Sequence, residues 1–293
     1  MNSLAVRAIL ALIITLSLFG VVAPQQKKTA EPGRAPQLVR TTSRHEVRKF
    51  PYGSTLTVSG APVGAITIEG WQRNEVDISA EIELRADTEN DLNTLALVNT
   101  FVLDEDADHV RVMSTGTYDK EFMRRVAKKF PKTLMGLPWK IDYRIRVPQV
   151  TDLEINGGRG PITISGVEGN IRVSAAESVA NLTVTGGTVS ATIGAGKVNV
   201  AIPVRAWRGV GADVQLVTGD IAVELTPGFS GDINADVLRL GRIEDTSGIL
   251  EARQTRGTSA PNHITVAAGA GGPFFKFTVG DGTIAFRKAD IKP

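Results

Sequence analysis

Between Val76 and Leu84 the chain alternates without a break: Val-Asp-Ile-Ser-Ala-Glu-Ile-Glu-Leu. The apolar residues at 76, 78, 80, 82 and 84 fall on one side of an extended chain and the polar ones on the other. This period of two predicts a strand with one buried face. The same rhythm covers Val47 to Phe50, Thr55 to Val58, Ala65 to Glu69, Val110 to Met113 and Lys140 to Val147, which Pro148 ends. Two stretches break it. Thr88 with Asp91 resembles a capping box, and Leu92, Leu95, Ala96 and Asn99 follow at helical spacing, so a helix is expected there. Further on, Phe122, Val126 and Phe130 lie four apart, while Arg124, Arg125, Lys128 and Lys129 cover much of the remaining surface. That pattern predicts a basic amphipathic helix, followed by an apolar turn ending in Trp139.

From Asp152 onward one phrase dominates: a glycine, any residue, then Ile or Val. It appears at Gly160-Pro-Ile-Thr-Ile164, Gly169-Asn-Ile-Arg-Val173, Gly196-Lys-Val-Asn-Val200, Gly219-Asp-Ile-Ala-Val223, Gly231-Asp-Ile-Asn-Ala235 and Gly282-Thr-Ile-Ala-Phe286. An earlier copy stands at Gly64-Ala-Ile-Thr-Ile68, and weaker ones at Gly187, Gly241 and Gly248. Each reads as a turn glycine followed by a short strand. The copies from Gly160 to Gly196 are separated by multiples of about nine residues, one short strand plus a corner, so about eighteen make one two-sided coil. The fold class expected is all-β: a repetitive β-solenoid, or β-helix-like stack of short strands, with one or two short helices inserted in the N-terminal half. Ile162/Ile164, Ile171/Val173, Leu182/Val184, Val189/Ile193 and Val198/Val200/Ile202 should form stacked ladders inside. Thr163, Arg172, Thr183 and Asn199 should point outward. Phe274-Phe275-Lys-Phe277 and Ile284-Ala-Phe286 are expected to plug the open end of the stack.

The first residues set the compartment. Met1 to Arg7 carry one positive charge, and Ala8 to Ala23 is an almost unbroken apolar run, the layout of a signal peptide. Val21-Val22-Ala23 offers a small-residue cleavage site, but Pro24 directly after it disfavours cleavage, so an uncleaved N-terminal anchor is the alternative. Residues 24–44 are polar and Pro-rich and read as a disordered tether. Residues 45–150 then form an N-terminal β region with inserted helices, continuous with the repeat region over 151–293. The chain has no Cys, which excludes disulfides, thiol catalysis and zinc-thiolate sites. A net charge of +2 is too mild to argue for a nucleic-acid partner. Aromatics at 5% and 30 glycines suit a thin stack with small corner residues.

Catalytic motifs are sparse. His45, His109 and His263 stand far apart with no partner motif. Asp104-Glu-Asp-Ala-Asp108 places carboxylates at alternate positions, but His109 stands where a calcium loop needs Gly and Thr115 where it needs Glu, so a solvated hairpin turn is the reading preferred. Gly194-Ala-Gly-Lys197 lacks the strand–loop–helix context of a phosphate loop. Asp220 and Asp232 follow turn glycines, which is ordinary corner chemistry. No catalytic, metal or cofactor-binding residue is assigned.

Residues 47 to 287 resemble the bacterial putative-adhesin family, a domain of unknown function. The resemblance rests on Phe50-Pro-Tyr-Gly-Ser-Thr-Leu-Thr-Val with Gly64-Ala-Ile-Thr-Ile-Glu-Gly-Trp71, on Tyr143-Arg-Ile-Arg-Val-Pro148 running into Leu153-Glu-Ile-Asn-Gly-Gly-Arg-Gly-Pro-Ile-Thr-Ile-Ser-Gly, and on Phe277-Thr-Val-Gly-Asp-Gly-Thr-Ile-Ala-Phe. It implies an envelope-associated β-solenoid without known catalytic residues, active in adhesion or envelope-stress regulation. The helix near Leu92 and the Asp119 to Trp139 segment depart from the family pattern.

Three functions follow as expectations. The first is a non-catalytic exported protein that binds or scaffolds at the cell envelope, its partner an envelope protein, a polysaccharide or a membrane surface. The second is an envelope-stress sensor touching anionic membrane through Phe122, Arg124, Arg125, Val126, Lys128, Lys129, Phe130 and Trp139. The third is a carbohydrate-active β-helix enzyme, which would need paired carboxylates on one face.

Overall fold

The computed structural model describes residues 38–126, 130–248 and 258–289. The chain is all-β, with seventeen strands in one hydrogen-bonded network and two short α-helices among the described residues. The strands are β1 (Leu38–Lys49), β2 (Thr55–Ser59), β3 (Ile66–Trp71), β4 (Glu75–Ala86), β5 (Thr100–Glu105), β6 (His109–Thr115), β7 (Trp139–Pro148), β8 (Asp152–Arg159) and β9 (Ile162–Val167). They continue as β10 (Asn170–Val184), β11 (Gly186–Ile202), β12 (Arg208–Leu225), β13 (Gly231–Val237), β14 (Gly241–Asp245), β15 (Thr258–Ala260), β16 (His263–Ala268) and β17 (Phe274–Lys288). Helix α1 is Glu89–Ala96 and α2 is Lys120–Val126.

The register sorts these strands into two ladders. The first runs β5-β6-β2-β8-β10-β11-β12-β17-β13-β16-β15. The second runs β1-β4-β7-β3-β9-β10-β11-β12-β17-β14. Four long strands, β10, β11, β12 and β17, belong to both: the N-terminal part of each lies in the first ladder and the C-terminal part in the second. From β8 to β14 and at β17 the pairing is parallel, while β16 pairs antiparallel with β13 and β15. Asn181 sits beside Asn199, 18 residues on, and the Asn199 side-chain amide donates to the Asn181 carbonyl at 2.7 Å. That offset is the one the glycine phrase predicts.

The two ladders face each other across one apolar core. All the predicted inward residues, from Ile162 through Ile202, are buried, while Arg172 and Thr183 are exposed and Thr163 and Asn199 half-buried. Burying one such Ile or Val stabilises the fold by roughly 1.5–3 kcal/mol, so a column of them in register is the main driving force. Contacts across the core include Phe101 of β5 against Tyr143 of β7, edge to face at 5.7 Å. Nearby, Ser114 of β6 and the Tyr143 hydroxyl share a hydrogen bond of 2.7 Å.

The bends depend on glycine. Gly196, Gly219, Gly282 and Gly241 stand side by side on β11, β12, β17 and β14, each at a φ between 126° and 144°. A Cβ on Gly219 would lie 1.8 Å from the Gly196 carbonyl oxygen, and one on Gly282 1.7 Å from that of Gly219. No side chain fits in this column, because the backbone of one strand occupies the space where it would go.

Three expectations change. The strand β1 begins at Leu38, inside the stretch read as a tether. Its alternation is hidden because its inward positions are Arg40, Arg44 and Arg48, not apolar residues. The Arg44 guanidinium lies over the Phe101 ring at 4.2 Å and donates to the Phe101 carbonyl oxygen at 2.6 Å. Arg44 and Arg48 also hold Glu46 between them. Inward charges are a known protection for an edge strand, and among the described residues β1 pairs with β4 alone. The second change concerns β17, which does not plug the end of the stack. It lies between β12 on one side and β13 with β14 on the other. Three of its four aromatic residues are buried inside the stack, Phe277 against Phe286 at 5.7 Å and Phe275 against Trp207 and Phe229, while Phe274 is exposed. Third, β4 runs antiparallel to both β1 and β7, so the N-terminal part of the second ladder is not a simple parallel coil.

Helix α1 is where its capping signal placed it: Thr88 accepts from the Asp91 amide at 3.1 Å, and Leu92 and Leu95 are buried. The Asp104–Asp108 segment is the turn of the β5–β6 hairpin, with Arg111 paired to Asp104 and Asp106.

The glycine column gives a direct test. Gly219→Ala should lower stability by about 3 kcal/mol or more in denaturant unfolding, since strain and a backbone clash combine. Gly53, at φ 82° with open space around it, should lose only about 1–2 kcal/mol on the same change. Equal losses at both positions would contradict the packing argument.

Candidate functional site

The basic segment comes first. Asp119 opens α2, its carboxylate accepting from the amides of Glu121 and Phe122, both at 2.9 Å. The residue this short helix buries is Met123, with Phe122 half-buried. Arg124 and Arg125 are exposed, Arg124 reaching Glu121 at 3.7 Å. Val126 ends the helix, its side chain outside what the structure describes, and Lys128 and Lys129 lie outside the described residues. Phe130 and Trp139 pack against the core. Trp139 stacks on Tyr118 at 5.6 Å and donates to the Thr117 hydroxyl at 3.0 Å. Of the predicted group, then, Phe122, Arg124 and Arg125 face outward at least in part, while Phe130 and Trp139 turn inward. Sequence periodicity placed Phe122 and Phe130 on one face, but the segment leaves the helix before Phe130, and Pro131 and a 3-10 turn at Lys132–Leu134 redirect it.

A second region was not anticipated. On the outer side of the second ladder, Ser43 and His45 of β1, Ser79 and Glu81 of β4, Arg144 of β7 and Thr67 of β3 line a shallow depression. Register brings them together: Ser43 stands opposite Glu81, His45 opposite Ser79, Ser79 opposite Arg144 and Arg144 opposite Thr67. Small hydroxyl residues leave the hollow and longer charged ones rim it. Asp142, opposite Glu81, is held by Lys140 at 2.9 Å and by the Ala65 amide at 2.8 Å. Glu81 and Arg144 are exposed and have no ion-pair or hydrogen-bond partner among the described residues.

Beside the hollow, Asp77 accepts from Arg146 at 2.6 Å and pairs with His45 at 3.0 Å. Burial pushes its carboxyl upward, but hydrogen bonds from His45 and Arg146 outweigh this and hold it below the usual carboxylate range. Arg146 also covers the Trp71 ring at 4.6 Å. These contacts fix one wall of the depression.

The other histidines are likewise engaged. His109 meets the Thr57 hydroxyl at 2.8 Å and Arg111 at 3.0 Å. His263 lies between Asp236 at 2.6 Å and the Thr265 hydroxyl at 3.2 Å. This Asp–His–Thr order matches a nucleophile relay, yet β13 and β16 pair along this stretch. The relay therefore lies on a strand face whose amides are engaged in the ladder and do not form an oxyanion hole. Among the described residues no group of three or more His, Asp or Glu could hold a metal ion. Nor is any described helix long and apolar enough to cross a membrane.

No protein-family model matches the chain, and no curated protein does. Solved structures are similar over most of its length. A putative cell adhesion protein from Clostridium sporogenes is 10% identical, with 85% of this chain and 100% of that one covered at a TM-score of 0.45. A putative adhesin from Bacteroides fragilis is 9% identical over 85% and 97%, at 0.32. A putative lipid binding protein from Parabacteroides distasonis is 8% identical over 85% and 97%, at 0.23. At these scores the likeness carries no functional argument.

The Asp77 cluster predicts an acid limb of stability. Because its folded-state pKa is depressed, Asp77 contributes stability at neutral pH that is lost as pH falls below about 4, through the folded-state value. Asp77→Asn should therefore melt well below the native chain at pH 7 in scanning calorimetry, with the gap narrowing as pH falls through the depressed folded-state value. A gap independent of pH would show that the carboxylate charge is not the stabilising element.

Proposed function

We propose that the chain is a non-catalytic, exported β-solenoid that binds a ligand of the cell envelope. We further propose that the depression on β1, β4, β7 and β3 is its contact surface and a polysaccharide its ligand class. The observation that carries this is the pair Glu81 and Arg144. Two nearby charge pairs on this face are joined across strands, Asp77–Arg146 and Glu83–Lys140. Glu81 and Arg144 instead have no partner among the described residues and stand at the rim of a hollow floored by hydroxyls. A carboxylate, a guanidinium and several hydroxyls together offer both acceptors and donors to a hydroxyl-rich chain. A solvated rim also suits a contact made by many modest hydrogen bonds.

The second reading, docking of α2 on anionic lipid, draws support from the exposure of Arg124 and Arg125. The inward packing of Phe130 and Trp139 favours a cap for this end of the core instead. The adhesin resemblance of the sequence fits the first reading, and the apolar run from Ala8 to Ala23 fits export.

Isothermal titration of envelope polysaccharide into the purified chain tests the proposal. Glu81→Ala and Arg144→Ala should each weaken binding by about tenfold, the scale of one charge-assisted hydrogen bond, with unchanged circular dichroism. Binding that survives both changes would move the site elsewhere. Sedimentation with anionic vesicles that is lost in Arg124→Glu would put the membrane reading in its place.

A further inference from the structure

The outer side of the first ladder carries a charge stripe that no single stretch of sequence displays. Following one row across the strands, Asp104 of β5 stands opposite Arg111 of β6, which stands opposite Thr57 of β2. Thr57 is followed by Glu154 of β8, Arg172 of β10 and Ser190 of β11. Ser190 is followed by Asp213 of β12 and then Lys276 of β17. The sign pattern is therefore minus, plus, neutral, repeated with a period of three strands up to Lys276, beyond which the row continues through uncharged Asn234 of β13 and Thr265 of β16. The next row on the same face holds only uncharged residues from β2 to β17: Ser59, Asn156, Ser174, Thr192, Gln215 and Thr278.

Reversal turns this stripe into its own complement. Read backwards it is plus, minus, neutral, so every minus falls on a plus and every neutral on a neutral. A two-fold axis lying in the face, parallel to the strands and between β8 and β10, performs that reversal. We propose that this face joins a second copy of the chain in an isologous dimer. Glu154 of each copy then meets Arg172 of the other, Arg111 meets Asp213, Asp104 meets Lys276, and Thr57 meets Ser190.

The components fit such a contact. Within one chain Glu154 and Arg172 are only 3.4 Å apart, but their side chains stay 43% and 74% exposed, free to engage a facing partner. Lys276 has no ion-pair partner among the described residues. A shallow trough lies over Glu154, Asn156, Arg172, Ser174, Ser190 and Thr192, astride the proposed axis. Eight strands at about 4.8 Å and about five residues of width give a footprint near 600 Å² per copy, so about 1,200 Å² in all, the lower bound of a stable specific interface. Two copies related by such an axis twist with the same hand, as aligned sheet packing needs. This face is separate from the polysaccharide hollow, so either proposal can fail alone.

Sedimentation velocity on the full chain in nonionic detergent should show a dimer that dissociates in 1 M salt. Glu154→Arg or Arg172→Glu alone brings like charges together at two symmetric places and should weaken dimerisation on the order of 100-fold. The double swap restores complementarity and should restore the dimer, which a merely misfolded variant would not do. A cross-link supplies geometry, since the chain has no native cysteine. With Thr57→Cys and Ser190→Cys together, a bis-maleimide too short to span the about 14 Å between these positions in one chain should still yield covalent dimer, as facing sheets lie about 10 Å apart. Thr57→Cys alone should not. A chain that stays monomeric at high concentration, reversals without effect, or equal cross-linking of the single variant would each overturn the proposal.

Discussion

The constraint on which the rest depends is the approach of one backbone to the next at the bends. β11, β12, β17 and β14 lie so close there that a carbonyl oxygen fills the place of a side chain on the neighbouring glycine. The contact fixes two things together. It sets where each long strand leaves the first ladder and enters the second, and it locks the register of neighbours to one residue. Because the side-chain period in a strand is two, a slip by one would turn the whole apolar set outward. The buried columns of Ile, Val and Leu reinforce the same register from inside. Local geometry and core packing therefore agree, as a well-specified fold requires.

A core formed between two ladders is thin, which explains the small share of aromatic residues. Those present concentrate where strands from distant parts of the chain meet. Phe101 and Tyr143 join the β5–β6 hairpin to β7, and Trp207, Phe229 and Phe275 secure the return of β17 to the side of β12. Large rings do at these junctions what repetition does along the middle. The edge strand β1 reaches the same end by another route, with arginines stacked on a ring and bonded to carboxylates and to a backbone carbonyl. That arrangement leaves the edge charged on its inner side and unattractive to a stray strand.

Much of this fold was legible in the sequence, and the reasons for the rest are specific. The glycine phrase and its spacing disclosed the bends, the offset of 18 residues and the identity of the inward columns, because each is a local property repeated. Thr88 and Asp91 disclosed α1 for the same reason. The strand β1 was only partly legible, since Arg40, Arg44 and Arg48 occupy positions where a periodicity argument looks for apolar residues. Insertion of β17 beside β12 was invisible, because which strand fills an open edge is decided by pairing over long separation. The basic segment misled in part: four-residue spacing describes a continuous helix, and the chain leaves α2 before Phe130.

The surface follows a different logic from the core, and that difference decides where chemistry can be read. An outward residue on one strand says little alone. In register with its neighbours it becomes a place in a row, and a row can run straight through strands that are far apart in the chain. Glu81 and Arg144 become neighbours only because β4 pairs antiparallel with β7. Glu154 and Arg172 become neighbours because β8 pairs parallel with β10. The second ladder thereby gains a hollow with an unmatched pair of charges, and the first a flat row whose charges balance in order. The balanced row has an uncharged row on one flank. One stacking rule thus gives the two outer faces different arrangements of charge, with the glycine bends holding both in place.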